Sequence, residues 1–139
     1  MASETTFEFV RGNLAQTPFH QWLKPELTAV DEAAGSVTIT LPLREEFCRL
    51  PNRPEIHGGV VAALIDITGH AAIAAKLHHS VATIDLRVDY LRLAAGSTLR
   101  AVGTVVKVGR TIGIVDIRMT DDQDRAVAIG RAAYLCASV

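Results

Sequence analysis

The chain has 139 residues, 49% of them hydrophobic and 21% charged, with 14 Lys+Arg set against 15 Asp+Glu for a formal net charge of -1. A chain of this length buries roughly 68–70% of its unfolded surface as one domain without disulfide or metal staples, which excludes an intrinsically disordered protein. Balanced charge and an aromatic content of 5% leave neither a basic stripe nor base-stacking platforms, so nucleic acid is excluded as an expected partner. Cys48 and Cys136 stand outside any CxxC or Cys/His spacing, which argues against a structural zinc and against a secreted disulfide framework. The N-terminal Met1-Ala-Ser-Glu is acidic where a signal peptide needs a basic start and an apolar run, so a cytoplasmic location is expected.

Residues 4–23 carry Phe7, Phe9, Val10, Leu14, Phe19, Trp22 and Leu23. They predict one or two short helices, broken near Gly12-Asn13 and Pro18, that pack as a lid on the core. Residues 26–31 and 37–41 alternate apolar and polar around a turn at Glu32–Ser36, the pattern of two antiparallel strands joined as a hairpin. Pro42, Pro51 and Pro54 then forbid strand continuation, leaving a loop over 42–56 with one helical turn at Arg44–Cys48.

From Gly58 to Leu77 the sequence is alanine-rich and apolar on nearly every face, which predicts a long buried helix. Its length would suit a bilayer, but Asp66 sits near its middle, where a charge costs roughly 2.5–3.5 kcal/mol, and no membrane span is expected. Four strand-like segments follow, at 81–91, 98–108, 111–120 and 126–135, separated by short turns at Ala94–Ser97, Gly109-Arg110 and Asp121–Asp124. Connections this tight favour an antiparallel meander. The expected class is α+β, with one six-stranded antiparallel sheet wrapped around the 58–77 helix, since a helix apolar all round needs cover on more than one side.

Two residues of the helix carry the chemistry. The first amides of a helix have no internal acceptor and lie at the positive end of its dipole, so Gly58 can donate to an oxygen on which negative charge develops. Gly58-Gly59 can equally be a tightly packed helix start. A carboxylate at Asp66, among Val60–Ile65 and Ile67, costs too much desolvation unless it is paired or faces a cleft, so either a functional role or a buried structural Asp satisfied by a donor is expected. Eight residues separate Gly58 from Asp66, about 12 Å along a helix axis, so one small reacting group cannot touch both. Two such helices running antiparallel across a two-fold axis would bring Asp66 of one chain to Gly58 of another, and an obligate homodimer with two composite sites is expected.

His57-Gly58-Gly59, Asp66 nine residues after the histidine, then Tyr90-Leu91-Arg92, Gly96 and Gly109-Arg110 on the later strands together resemble the PaaI-like (phenylacetate-pathway type) hotdog-fold acyl-CoA thioesterases. The resemblance runs from about residue 25 to the C-terminus. It implies a hotdog fold, hydrolysis of acyl-CoA or arylacyl-CoA to the free acid and CoA, no cofactor beyond the coenzyme A of the substrate, and sites that straddle a dimer interface, often in a tetramer built as a dimer of dimers. It also implies catalytic parts for His57, Gly58, Asp66 (as general base or nucleophile), Thr83 and Asn52, with Gly59, Arg53, Arg92, Gly109 and Arg110 contacting substrate or coenzyme A and Lys107 a further phosphate candidate. Two departures stand out. The family asparagine usually lies six residues before the histidine, whereas Asn52 lies five before His57, and Leu93 stands where a proline often follows Tyr-Leu-Arg.

Each assignment has a plainer counterpart. Thr83 is also an ordinary strand threonine, His70 reads as a structural histidine bonded to its neighbours, and the arginines read equally as solvated surface charge. Asp66 and His70 alone are too few ligands for a metal site. A non-catalytic acyl-CoA-binding module, a sensor or scaffold, is the alternative function. A hotdog dehydratase or hydratase is the weaker one, because the motifs of those branches are missing.

Overall fold

A computed structural model describes residues 5–139; residue 4 of the expected helical segment lies outside the described residues. Thr5 caps α1 (Thr6–Gln16), its side-chain oxygen accepting from the Glu8 amide. The helix runs unbroken through Gly12-Asn13, in contrast to the expected break, because Gly12 faces open space where a missing side chain forgoes no packing. It stops at Thr17, since Pro18 has no N–H and instead opens α2 (Pro18–Leu23) at the first helical position, where proline's fixed φ suits the geometry.

β1 (Glu26–Asp31) and β2 (Ser36–Pro42) form the expected hairpin, and a single 3-10 turn, Glu45–Phe47, interrupts the proline-rich loop. The buried helix α3 occupies Gly58–Leu77 as predicted. β3 (Ala82–Tyr90), β4 (Thr98–Val108), β5 (Ile112–Asp121) and β6 (Ala126–Leu135) complete a six-stranded, fully antiparallel sheet in the order β1-β2-β4-β5-β6-β3. Only β4-β5-β6 is a meander. The strand after the helix lies at the far edge beside β6 and runs back along the first half of α3, Thr83 reaching Asp66 and Tyr90 reaching Gly58.

Small residues let the helix sit close. A Cβ on Gly130 would lie 2.7 Å from Ile65, and one on Gly113 2.6 Å from Ile73, so larger residues in β5 and β6 would lever α3 off the sheet. Val37, Ile39, Leu41, Leu99, Val115, Ile117 and Met119 supply the opposing apolar face and are essentially without solvent contact, following the alternation of a one-sided strand. The apolar excess of α3 is thus satisfied by burial against the sheet, which is how a stretch long enough for a bilayer serves as a core helix.

Candidate active site

Asp66 is half-buried in the middle of α3, and the sheet register determines what meets it. Thr83 on β3 pairs directly with Tyr134 on β6. The Thr83 hydroxyl donates to Asp66 Oδ1 at 2.8 Å. The Tyr134 hydroxyl is shared between the Asp66 carbonyl oxygen at 2.8 Å and Oδ1 at 3.2 Å. Tyr134 is fully buried, and burial, reinforced by the Asp66 charge, pushes its phenol far above its ordinary pKa, so it remains a donor at every working pH. Oδ1 is therefore held by two hydroxyls, while Oδ2 has no protein donor among the described residues.

Gly69, one turn after Asp66, makes room for this arrangement, because a Cβ there would fall 2.3 Å from the Tyr134 hydroxyl. Replacing Gly69 with Ala is expected to displace that hydroxyl and loosen Asp66, with overpacking costing about 1–3 kcal/mol. Thermal unfolding should show a midpoint lower by several degrees, together with slower turnover; an unchanged midpoint would contradict this packing.

Asp66 lines a cleft of about 300 Å³ with Asn13, Thr17, His20, Ile67, His70, Ser80 and Thr83. The cleft is closed from one side by α1 and α2, where the Asn13 amide donates to Ser80 Oγ at 2.6 Å. His70 accepts the Val81 amide through Nε2 at 3.3 Å, so in the neutral ring its proton is on Nδ1. Burial lowers the His70 pKa below its ordinary 6.5, against the opposing Asp66 charge. A histidine with a depressed folded-state pKa makes the unfolded chain the better proton binder below pH 6.5. Stability is accordingly expected to be full above pH 6.5 and to decline as pH falls through the window beneath it. Comparing melting curves at pH 7.5 and 5.5 checks this, since a His70→Gln variant should decline less steeply.

The N-terminus of α3 forms a second site. His57 is its N-cap, and His57 Nδ1 accepts the Gly59 amide at 2.8 Å. The Val60 amide donates back to the His57 carbonyl at 3.0 Å. Gly58 is left as the first-turn amide with no acceptor among the described residues, so the local geometry selects Gly58 over Gly59 as the donor. Tyr90 donates its hydroxyl to the Gly58 carbonyl at 2.7 Å. A pocket of about 310 Å³ opens here, lined by Gly58 and Tyr90 together with Arg49, Arg92, Leu91 and Leu93. No residue lines both this pocket and the Asp66 cleft.

The remaining candidates stand apart from both places. Asn52 occupies an exposed turn in the left-handed region, φ 58°, which asparagine tolerates better than most residues. Arg53 beside it pairs with Glu55. Gly109 closes the β4–β5 turn by donating to the Ile112 carbonyl at 2.9 Å, and Arg110 is exposed at its tip. Sequence reasoning did not identify Tyr134, Arg49 or His20, and Tyr90 entered only as part of the Tyr-Leu-Arg motif, without a role at the site. The signal for Tyr134 was the alternation of β6, which places Ala128, Gly130, Ala132 and Tyr134 on the helix-facing side.

Residues 55–128 match the thioesterase superfamily. The chain is 36% identical over 115 residues to a candidate esterase of Halobacterium salinarum, covering 75% of this chain and 76% of that protein. It is 26% identical over 95 residues to the medium/long-chain acyl-CoA thioesterase YigI of Escherichia coli, covering 58% of this chain and 61% of YigI. Among solved structures it superposes on the E. coli PaaI protein of the phenylacetic acid degradation operon with a TM-score of 0.82 at 21% identity, over 94% of this chain and 91% of PaaI. The helix-bearing antiparallel sheet, the Asp66 cleft and these similarities agree: the chain belongs to the thioesterase superfamily and has the hotdog fold of that family.

Proposed function

We propose that this protein hydrolyses acyl-CoA thioesters to the free acid and CoA at sites shared between two copies of the chain. The observation that carries the reading is the anchoring of Asp66: one oxygen is held by Thr83 and Tyr134, and the other is left to act in a cleft. Fixed in this way, Asp66 activates water as a general base or attacks the thioester carbon itself. Attack builds negative charge on the carbonyl oxygen, and the unpaired Gly58 amide at the positive end of α3 is the donor that stabilises it. C–S cleavage then releases the thiolate of CoA.

Asp66 and Gly58 open into separate pockets of one chain, which supports a homodimer in which each Asp66 works with the partner copy's helix N-terminus. β3 has a neighbour on one side only, and Ile84 on it is 53% exposed, an edge suited to continuing the sheet into a second copy. Arg92 and Arg49 beside Gly58 suit the phosphates of coenzyme A. The reaction needs no cofactor besides water. The test is thiol release from acyl-CoA thioesters of graded length, with phenylacetyl- and hydroxybenzoyl-CoA included. Turnover of at least one member is expected, whereas tight binding without thiol release across the set would support a binding module instead.

A further inference from the structure

His20 is a residue of the Asp66 cleft that neither the motif nor the mechanism above uses. Its placement follows from the helix break. The Leu14 carbonyl would ordinarily accept from the amide four residues later, but that residue is Pro18, which has no N–H. The His20 side chain takes the vacant role, its Nδ1 lying 3.1 Å from the Leu14 oxygen. Gln21 does the same for the Ala15 carbonyl at 3.1 Å. A carbonyl can only accept, so the His20 proton is on Nδ1, and Nε2, on the opposite side of the ring, is an obligatory acceptor in the neutral form. Among the described residues nothing donates to it. His20 lines two clefts, that of Asp66 and one with Arg11, Glu26 and Leu27.

An attacking water has two protons and is held firmly only by two acceptors. Asp66 Oδ2 is one, and the cleft holds His20 as the other. We infer that His20 is a catalytic base of the Asp66 site, its Nε2 taking a proton from the water that attacks the thioester; this rests on the thioester-hydrolase reading above. The water oxygen bonds to the acyl carbon while its proton passes to Nε2. The carbonyl electrons move to oxygen and return as the C–S bond breaks. The departing thiolate recovers the proton from the imidazolium, giving acid and CoA thiol with His20 neutral again.

An imidazole is intrinsically a stronger base than a carboxylate, which assigns proton transfer to His20 and water orientation to Asp66 and Thr83. The charged and titratable groups that share a cleft with His20 are Asp66 and His70 from α3, Arg11 from α1 and Glu26 from β1. Burial is the largest influence on the ring and lowers its pKa below 6.5, with the Leu14 bond and the Asp66 charge opposing. The base form is thus present at neutral pH, and activity should fall on the acid side as the ring is protonated.

Two variants separate base from scaffold. In His20→Asn an amide nitrogen stands near the Nδ1 position and keeps a donor for Leu14, but nothing remains at Nε2. His20→Gln places a neutral acceptor near Nε2 that cannot take a proton. Both are assayed by thiol release with the best-hydrolysed member of the acyl-CoA set, alongside Asp66→Asn. Expected are a kcat lower by about 100-fold in both His20 variants, KM within about threefold, and loss of the acid limb from the kcat pH profile. If Asp66→Asn is inactive but His20→Asn keeps kcat within about threefold and retains the acid limb, the inference is overturned while the hydrolase reading stands. If Asp66→Asn stays active, the Asp66 assignment and the inference built on it fall, whereas the hydrolase reading falls only if the unaltered protein releases no thiol from any member of the set. Should the variants not fold, imidazole nitrogen NMR of the unaltered protein decides. A His20 ring protonated on Nδ1 at pH 7.5 and titrating below 6.5 supports the inference, and the Nε2–H tautomer overturns it.

Discussion

Replacing Asp66 with Asn is expected to reduce kcat for acyl-CoA hydrolysis by roughly 10³-fold, equivalent to about 4 kcal/mol of transition-state stabilisation, with KM little changed. Asparagine has the shape of aspartate, and its oxygen can still accept from Thr83 and Tyr134 in place of Oδ1. The fold and the cleft should therefore persist, and the melting midpoint should stay near that of the parent protein. What disappears is the carboxylate oxygen that faces the cleft. Steady-state thiol release together with a melting curve makes the measurement. Retention of more than about a tenth of the activity would remove Asp66 from the chemistry. Multiple turnovers in ¹⁸O-labelled water then test direct attack, since label in the Asp66 carboxylate requires an acyl-aspartyl anhydride opened at the aspartate carbon, whereas a carboxylate that only orients or deprotonates water stays unlabelled.

The second large effect is expected at Gly58. Proline there deletes the unpaired amide and little else, because the first helical position is where proline is favoured. His57, at φ -59° and ψ 134°, already has the extended conformation that a following proline demands. A Cβ at Gly58 would meet the Tyr90 ring at 3.4 Å, an ordinary contact. Loss of one oxyanion donor typically costs 10²- to 10³-fold in kcat, about 2.7–4 kcal/mol, and Gly58→Pro should fall in that range while remaining folded.

Combining the two lesions tests the shared site. A heterodimer of one Asp66→Asn chain and one Gly58→Pro chain would contain one site with both defects and one with none. Mixed dimers purified through two different tags should recover up to about half the parental activity. Recovery no greater than the sum of the inactive homodimers would place both groups of each site within a single chain. It would leave the 12 Å spacing along α3 without a role in catalysis.

Much of this was legible before any coordinates. The 58–77 helix was recognisable because an apolar run bounded by Gly58 and Leu77 has one stable disposition in a soluble domain, and the strands because Val37–Leu41 and the segments after residue 81 alternate with period two. Thr83 beside Asp66 was reachable through the family resemblance. The order of strands was less accessible: short turns suggested that β3 would open a meander, whereas β3 pairs with β6 at the far edge and packs back along α3, through contacts such as Thr83 with Asp66 that no local pattern announces. The continuity of α1 through Gly12-Asn13 was also missed, since a glycine's tolerance depends on whether its neighbours leave space or need filling.

Local sequence thus determined the elements, the single carboxylate that an apolar helix must have a reason to keep, and the glycine amide at that helix's start, because propensity, periodicity and desolvation cost act over a few neighbouring residues. Tertiary structure alone decided which hydroxyls hold Asp66, which first-turn amide is left free, and that His20 shares the cleft. Those outcomes depend on strand register and on contacts between residues such as Gly69 and Tyr134, or Leu14 and His20, whose pairing is set by how α1, α2 and α3 pack and not by spacing along the chain.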